Sequence, residues 1–264
     1  MSRVLATSPA QRSAATVAGL LAVALLASAP AAAQEESSGW SGRLTLYGWL
    51  TGMTGDVSAR ERDLQTDVSA SLSDILDNLE FAAFATGEVR RDRLGLILDV
   101  VYASLSPDGT APGPFATEAS TDLKMLLLTS AVAARVYGND QGYVDALAGA
   151  RYVSTDIDVS TRREQPVPVS RNASRDVDWL DPLIGIRAGV NLTDKIAVRG
   201  LADVGGFGAG SQLTWEAFAG GSYAFTDWLL GEVGFRYLDI DYEANRADLD
   251  ISILGPTIGL TFQF

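Results

Sequence analysis

The chain has 264 residues, 47% of them hydrophobic and 20% charged, with a formal net charge of -13. That length suits one large domain or two small ones, and such acidity argues against a nucleic-acid partner. There is no cysteine and no histidine, which excludes disulfides, the softest and commonest metal ligands and the commonest general base; no cofactor and no metal are expected.

The first segment has the form of an export signal. Arg3 and Arg12 supply positive charge, "AATVAGLLAVALLASA" is apolar, and "APAAAQ" offers small residues for cleavage after Ala33. A membrane anchor is the other reading, but the run is short for one and ends in a small-residue site. Residues 1–33 are therefore expected to be removed, leaving 34–264 as one domain. No cysteine follows the cleavage site, so lipid attachment there is not expected. The rest of the chain lacks the roughly 20 consecutive apolar residues of a membrane helix.

Ten strand-like segments follow, at 43–55, 81–91, 93–105, 121–137, 143–156, 179–192, 195–207, 211–225, 228–241 and 249–264. Four connections are short, namely "RRDR", "YGNDQG", "LTDK" and "FTDW", and "FGAGS" at 207–211 is brief. The connections 56–80, 106–120, 157–178 and 242–248 read as long loops. Sorting by parity separates an apolar face from a polar one. Leu94, Leu96, Leu98 and Val100 oppose Gly95 and Asp99. Ile184, Ile186, Ala188 and Val190 oppose Asp181 and Arg187. In the last strand Leu254, Ile258, Leu260, Phe262 and Phe264 oppose Gly255, Thr257, Gly259, Thr261 and Gln263.

Parity alone does not say which face meets water. Aromatic residues near strand ends on the apolar face (Tyr102, Tyr152, Trp215, Phe225, Tyr237, Phe264) read as membrane-interface girdles. Small residues crowd the polar face, as a narrow lumen requires. The expectation is an all-β, closed antiparallel transmembrane barrel of about ten strands, with eight or twelve as alternatives. Short turns would face the periplasm and longer loops the exterior.

The terminal strand ending in Phe262 and Phe264 resembles the assembly signal of bacterial outer-membrane β-barrels. That resemblance implies export, insertion by the barrel assembly machinery and residence in the Gram-negative outer membrane. The stretches "WLTGMTGDV", "SDILDNLEF", "DVGGFGAGS", "RYLDIDYE" and "GPTIGLTFQF" resemble small proteobacterial barrels of the OmpA-like and opacity-protein-like group. The resemblance spans 40–264 and includes no peptidoglycan-binding domain. It implies outer-membrane lipids and lipopolysaccharide as surroundings, and a monomer.

The polar parity gathers Glu88, Asp99, Asp145, Asp181, Asp203, Glu216 and Glu232 with Arg90, Arg135, Arg151, Arg187, Arg199 and Arg236. Every base is arginine, although Lys124 and Lys195 occur elsewhere. Arginine pairs carboxylates bidentately and stays charged when desolvated. The set reads as a salt-bridged filling of the lumen; a polar pathway for ions or small solutes is the alternative.

Other motifs carry less. "DVGGFGAGS" lacks the lysine and helix of a phosphate loop and reads as a turn or bulge. In "SLSDILDNLEF", Ser73 is placed to cap a short helix with Ile75, Leu76 and Leu79 on one face, as a packed turn or a lid. Asp74, Asp77 and Glu80 there are read as surface acids. "RNAS" and "NLT" have glycosylation spacing by accident. Barrel enzymes of the resembling architecture rely on histidine, so no enzyme is expected. The functional readings are a structural or surface-interaction barrel, a narrow passive channel, and last an enzyme of unknown type.

Overall fold

A computed structural model describes residues 39–59, 64–106, 108–111, 117–163, 169–244 and 247–264. The expected signal segment and its Ala33 cleavage site lie outside these. The elements, in order, are β1 (Trp40–Trp49), β2 (Gly52–Ala59), β3 (Leu64–Ala70), α1 (Leu72–Asp77), β4 (Leu79–Arg91), β5 (Leu94–Leu105), β6 (Asp108–Ala111), β7 (Thr117–Gly138), β8 (Gly142–Arg163), β9 (Val169–Asn191), β10 (Ile196–Gly206), β11 (Leu213–Ala224), β12 (Leu229–Ala244) and β13 (Ala247–Gln263).

Ten strands close an antiparallel barrel in the order β1-β4-β5-β7-β8-β9-β10-β11-β12-β13 and back to β1. The closing seam runs from Arg43 opposite Gln263 to Trp49 opposite Thr257. It is finished by Gly42 N donating to Phe264 O at 2.7 Å and Phe264 N to Gly42 O at 3.0 Å. Closure matters because a lipid-facing sheet edge would leave backbone groups without partners. The first strand is interrupted at Leu50 and Thr51, where the Thr51 hydroxyl donates to Leu254 O at 2.9 Å. Beyond the break β2 continues along β13 from Met53 opposite Ile253. β3 pairs back onto β2, and β6 is a short partner of β7.

The outward side chains form a band. Leu94, Leu96, Val132, Ile184, Ile186, Val198, Val233, Phe235, Ile258 and Leu260 are all exposed. At the end with the short turns Trp40, Tyr137, Tyr223, Phe225, Trp228 and Phe264 ring the wall. Toward the other end the band stops near Leu180, Trp215 and Leu254.

Above that line the strands do not end, contrary to the loop expectation for 106–120, 157–178 and 242–248. β7, β8 and β9 run 22, 22 and 23 residues, and β12 and β13 run 16 and 17. At about 3.4 Å per residue, β8 is ~75 Å of strand, more than a tilted crossing of a hydrocarbon core needs. The extended part inverts its polarity. In β12 the outward series passes from Val233, Phe235 and Tyr237 to Asp239 and Asp241, while the inward series passes from Glu232 and Arg236 to Leu238, Ile240 and Tyr242. In β9 the outward Ile186, Ile184 and Leu180 give way to Asp178 and Asp176, and inward Arg187 and Asp181 give way to Trp179 and Val177.

The interior of the extension is a conventional core. Trp49, Val101, Leu127, Val153, Trp179, Leu238, Ile240 and Ile253 are buried together, with Tyr47, Met53, Phe84, Met125, Tyr242 and Ile251 packed against them. Trp179 stacks on Tyr242 with ring centroids 4.3 Å apart. Where water replaces lipid outside, apolar side chains gain by turning inward, about 1.5–3 kcal/mol for each large one fully buried. The expected salt-bridged filling therefore occupies only part of the lumen: its outer half is apolar.

Two local readings also change. The N-cap of α1 is Ser71 rather than Ser73, in a capping box with Asp74. The Ser71 hydroxyl and amide both donate to Asp74 and hold its carboxyl below the usual range. The 207–211 turn is built on three successive left-handed residues, Gly206, Phe207 and Gly208; Phe207 is the one for which this backbone is unfavourable.

The inversion makes a prediction for outward positions of β13. Ile258→Arg, in mid-band, is expected to cost about 2–4 kcal/mol in an equilibrium folding titration in lipid vesicles. Asp250→Arg, above the band and opposite Asp241, is expected to be neutral or mildly stabilising.

Candidate functional site

The inward residues below the apolar core form two charged layers. The layer nearer the core draws on seven strands. Arg151 of β8 donates Nη2 to Asp203 of β10 at 3.0 Å and to Glu216 of β11 at 2.8 Å. Arg236 of β12 reaches Glu216 at 3.0 Å and Asp99 of β5 at 2.9 Å. Asp99 also accepts from Tyr47 of β1 at 2.9 Å and Thr86 of β4 at 2.6 Å. Arg236 donates Nη1 to the Tyr47 hydroxyl at 2.6 Å. Arg151 is 1% exposed, so these pairs are desolvated, and their hydrogen bonds are what makes burial tolerable.

The second layer lies nearer the short turns. Arg187 of β9 grips Glu88 of β4 through both terminal nitrogens, at 2.8 and 2.9 Å, and reaches Asp145 of β8 at 2.8 Å. Arg90 joins Asp145 at 2.8 Å and Glu88 at 3.1 Å. Arg135 pairs with the other side of Asp145, and Arg199 pairs with Glu232. Asp145 thus serves three guanidiniums.

Asp181 stands apart from both layers. It is fully buried and accepts only from neutral donors: Trp179 Nε1 at 3.0 Å, Ser211 N and Oγ at 2.7 Å each, and Thr214 Oγ1 at 2.8 Å. The 207–211 turn brings Ser211 there, and a Cβ on Gly210 would come within 2.6 Å of the Asp181 carboxylate. The glycine-rich stretch thus serves a buried carboxylate of its own chain.

Between the layers lies a cavity of about 130 Å³ lined by Thr45, Thr129, Ile97, Leu147, Leu201 and Phe218, among others. Glycines leave room for flat-lying rings beside it: a Cβ on Gly234 would come within 2.6 Å of the Phe218 ring. A larger recess of about 470 Å³ opens at the short-turn end.

The sequence reading missed Arg43, Tyr47 and Tyr143. All three lie on inward parity, Arg43 and Tyr47 with Thr45 and against Leu44 and Leu46, so sorting β1 by parity would have found two of them. Asp74, Asp77 and Glu80 form no metal-ligating group with other described residues.

No protein-family model matches the chain, and no curated protein sequence does. Among solved structures, the outer-membrane protease OmpT from Escherichia coli superposes with a TM-score of 0.54 at 11% identity, covering 88% of this chain and 99% of its own. The fold is that of an outer-membrane β-barrel. Neisserial surface protein A, at 14% identity and a TM-score of 0.32, covers 87% of this chain and 100% of its own. The Ail protein of Yersinia pestis, at 11% identity and a TM-score of 0.32, covers 86% and 99%.

Two substitutions separate the buried carboxylates by what they need. Arg151→Ala leaves Asp203 without its guanidinium and Glu216 with only Arg236; the expected loss is about 3–5 kcal/mol. Asp181→Asn removes a charge that only neutral donors hold and leaves at least one of those donors facing an amide nitrogen, for about 1–3 kcal/mol. Heat-modifiable migration and urea titration of the refolded barrels measure both.

Proposed function

We propose that this protein is an integral outer-membrane barrel with a closed lumen that acts in structure and surface interaction. The observation that carries the reading is the stack of obstructions across the lumen: the Arg187–Glu88–Asp145 layer, the Arg151–Asp203–Glu216–Arg236 layer and the apolar core around Trp49 and Trp179. An ion following the axis would have to leave water and pass a packed apolar core, at a cost of several kcal/mol.

The same reading gives the outer face its role. Above the lipid-facing band, Asp122, Asp156, Asp158, Asp176, Asp178, Asp239 and Asp250 point outward, with Lys124 among them. This acidic rampart suits cationic partners, or lipopolysaccharide bridged by divalent cations. Phe262 and Phe264, on the outward face of the last strand, suit recognition by the assembly machinery after export with cleavage at Ala33. The apolar band suits outer-membrane lipid around a monomer. A catalytic role is not part of this reading, because the inward carboxylates are committed to arginines, hydroxyls and the Trp179 indole.

Planar-bilayer recordings of the refolded protein test it. Folded wild type is expected to be electrically silent. Steady discrete steps whose size or ion selectivity changes in Glu88→Ala with Glu232→Ala would replace this reading with a narrow channel.

A further inference from the structure

The recess of about 470 Å³ at the short-turn end is lined by Arg43, Glu88, Arg90, Arg135, Tyr143 and Arg187, among others. Its charges do not cancel. Arg90, Arg135 and Arg187 share only Glu88 and Asp145. Arg43 is half-buried beside Glu88, directly opposite it across β1 and β4, yet it has no carboxylate within ion-pair distance among the described residues. Asp227 sits at the rim in the turn before β12.

The donors are also in excess. Arg90 Nη1 and Arg187 Nε are buried with no hydrogen-bond acceptor. Arg187 is 8% exposed, so water has little access to that side chain. A buried guanidinium donor without an acceptor costs free energy, which an anion in the recess would restore once a small shift of the side chain turns that donor toward it. The guanidiniums are held in place: the Tyr143 ring lies 4.3 Å from that of Arg135 and 5.7 Å from that of Arg187. A Cβ on Gly189 would come within 2.5 Å of the Tyr143 ring, so the glycine makes the space in which the tyrosine lies. Deeper in the lumen, the layer of Asp99, Asp203 and Glu216 against Arg151 and Arg236 carries one more acid than base. An anion would therefore stop at the recess.

The geometry points to a binding site in this recess for an anion of the phosphate class, inorganic phosphate or a small phosphate monoester, held by Arg43, Arg90 and Arg187. A tetrahedral anion offers several acceptor oxygens to forked donors converging from different strands, which a single carboxylate does less well. The volume leaves room for an organic substituent beyond the phosphate. The site opens only toward the end with the short turns, because the charged layer and apolar core lie above it. The inference is independent of whether the barrel conducts and of what its outer face binds.

Titration calorimetry with inorganic phosphate on the refolded barrel in detergent, at constant ionic strength, is the test. Wild type is expected to bind one phosphate saturably, and acetate at least about tenfold more weakly. Arg43→Gln breaks no ion pair and is expected to fold, with phosphate affinity lowered about tenfold. Arg90→Lys keeps the charge but loses the fork and is expected to weaken binding several-fold, migration on a gel reporting that it has folded. Absence of saturable binding to folded wild type, equal binding of acetate, or full affinity in Arg43→Gln would overturn the assignment. Should Arg90→Lys fail to fold, the Arg43→Gln result decides alone.

Discussion

The backbone closure between β1 and β13 is the constraint on which everything else rests. A barrel wall in lipid must satisfy its amides and carbonyls within itself, and it does so only if the last strand meets the first in register. Once Arg43 faces Gln263 and Trp49 faces Thr257, the direction of every side chain is fixed, because strands alternate faces and neighbouring strands share them. The inward positions of Glu88, Asp99, Asp145, Arg151, Arg187, Glu216 and Arg236 follow from that ring. So does their meeting: these seven side chains from six strands converge because the lumen is narrow.

Convergence explains the chemistry of the interior. Charges cannot leave a closed wall, so they must be compensated where they stand. Arginine does this with planar forks that can serve two carboxylates at once, as Arg187 does for Glu88 and Asp145. Rings lie flat where glycine permits, as Tyr143 does over Gly189 and Phe218 over Gly234. Higher up, the medium outside changes from hydrocarbon to water and the same parity takes the opposite composition. Val153 continues the inward row of Arg151, and Leu238 that of Arg236, without a break in pairing.

The ten-strand count, the alternation and the inward set were legible because lipid outside and a polar lumen inside enforce a two-residue period. The extension was not, although Asp156, Ile157, Asp158 and Val159 alternate as regularly as any membrane strand. Acids and serines on one face resemble loop composition, and nothing local says that water has replaced lipid. Ser73 reads as the cap until the Asp74 side chain is seen to return to Ser71. The Ser211 donors to Asp181 come from a turn thirty residues away, a meeting made by three left-handed residues rather than by any spacing. Arg43 was within reach, on a first strand whose faces were not separated.

The extended hairpin of β8 and β9 has a consequence for how the barrel comes to exist. With the start of β1 and the end of β13 on one side of the bilayer, the far tips of these strands must travel through it during insertion. Asp156, Asp158, Asp176 and Asp178 lie along that path, and each ionised carboxylate opposes entry into hydrocarbon. Spontaneous threading therefore meets a kinetic barrier that grows with the height of the wall. A thinned or disrupted bilayer patch, through which the hairpin passes before the seam zips shut, lowers it, most of all for the tallest strands.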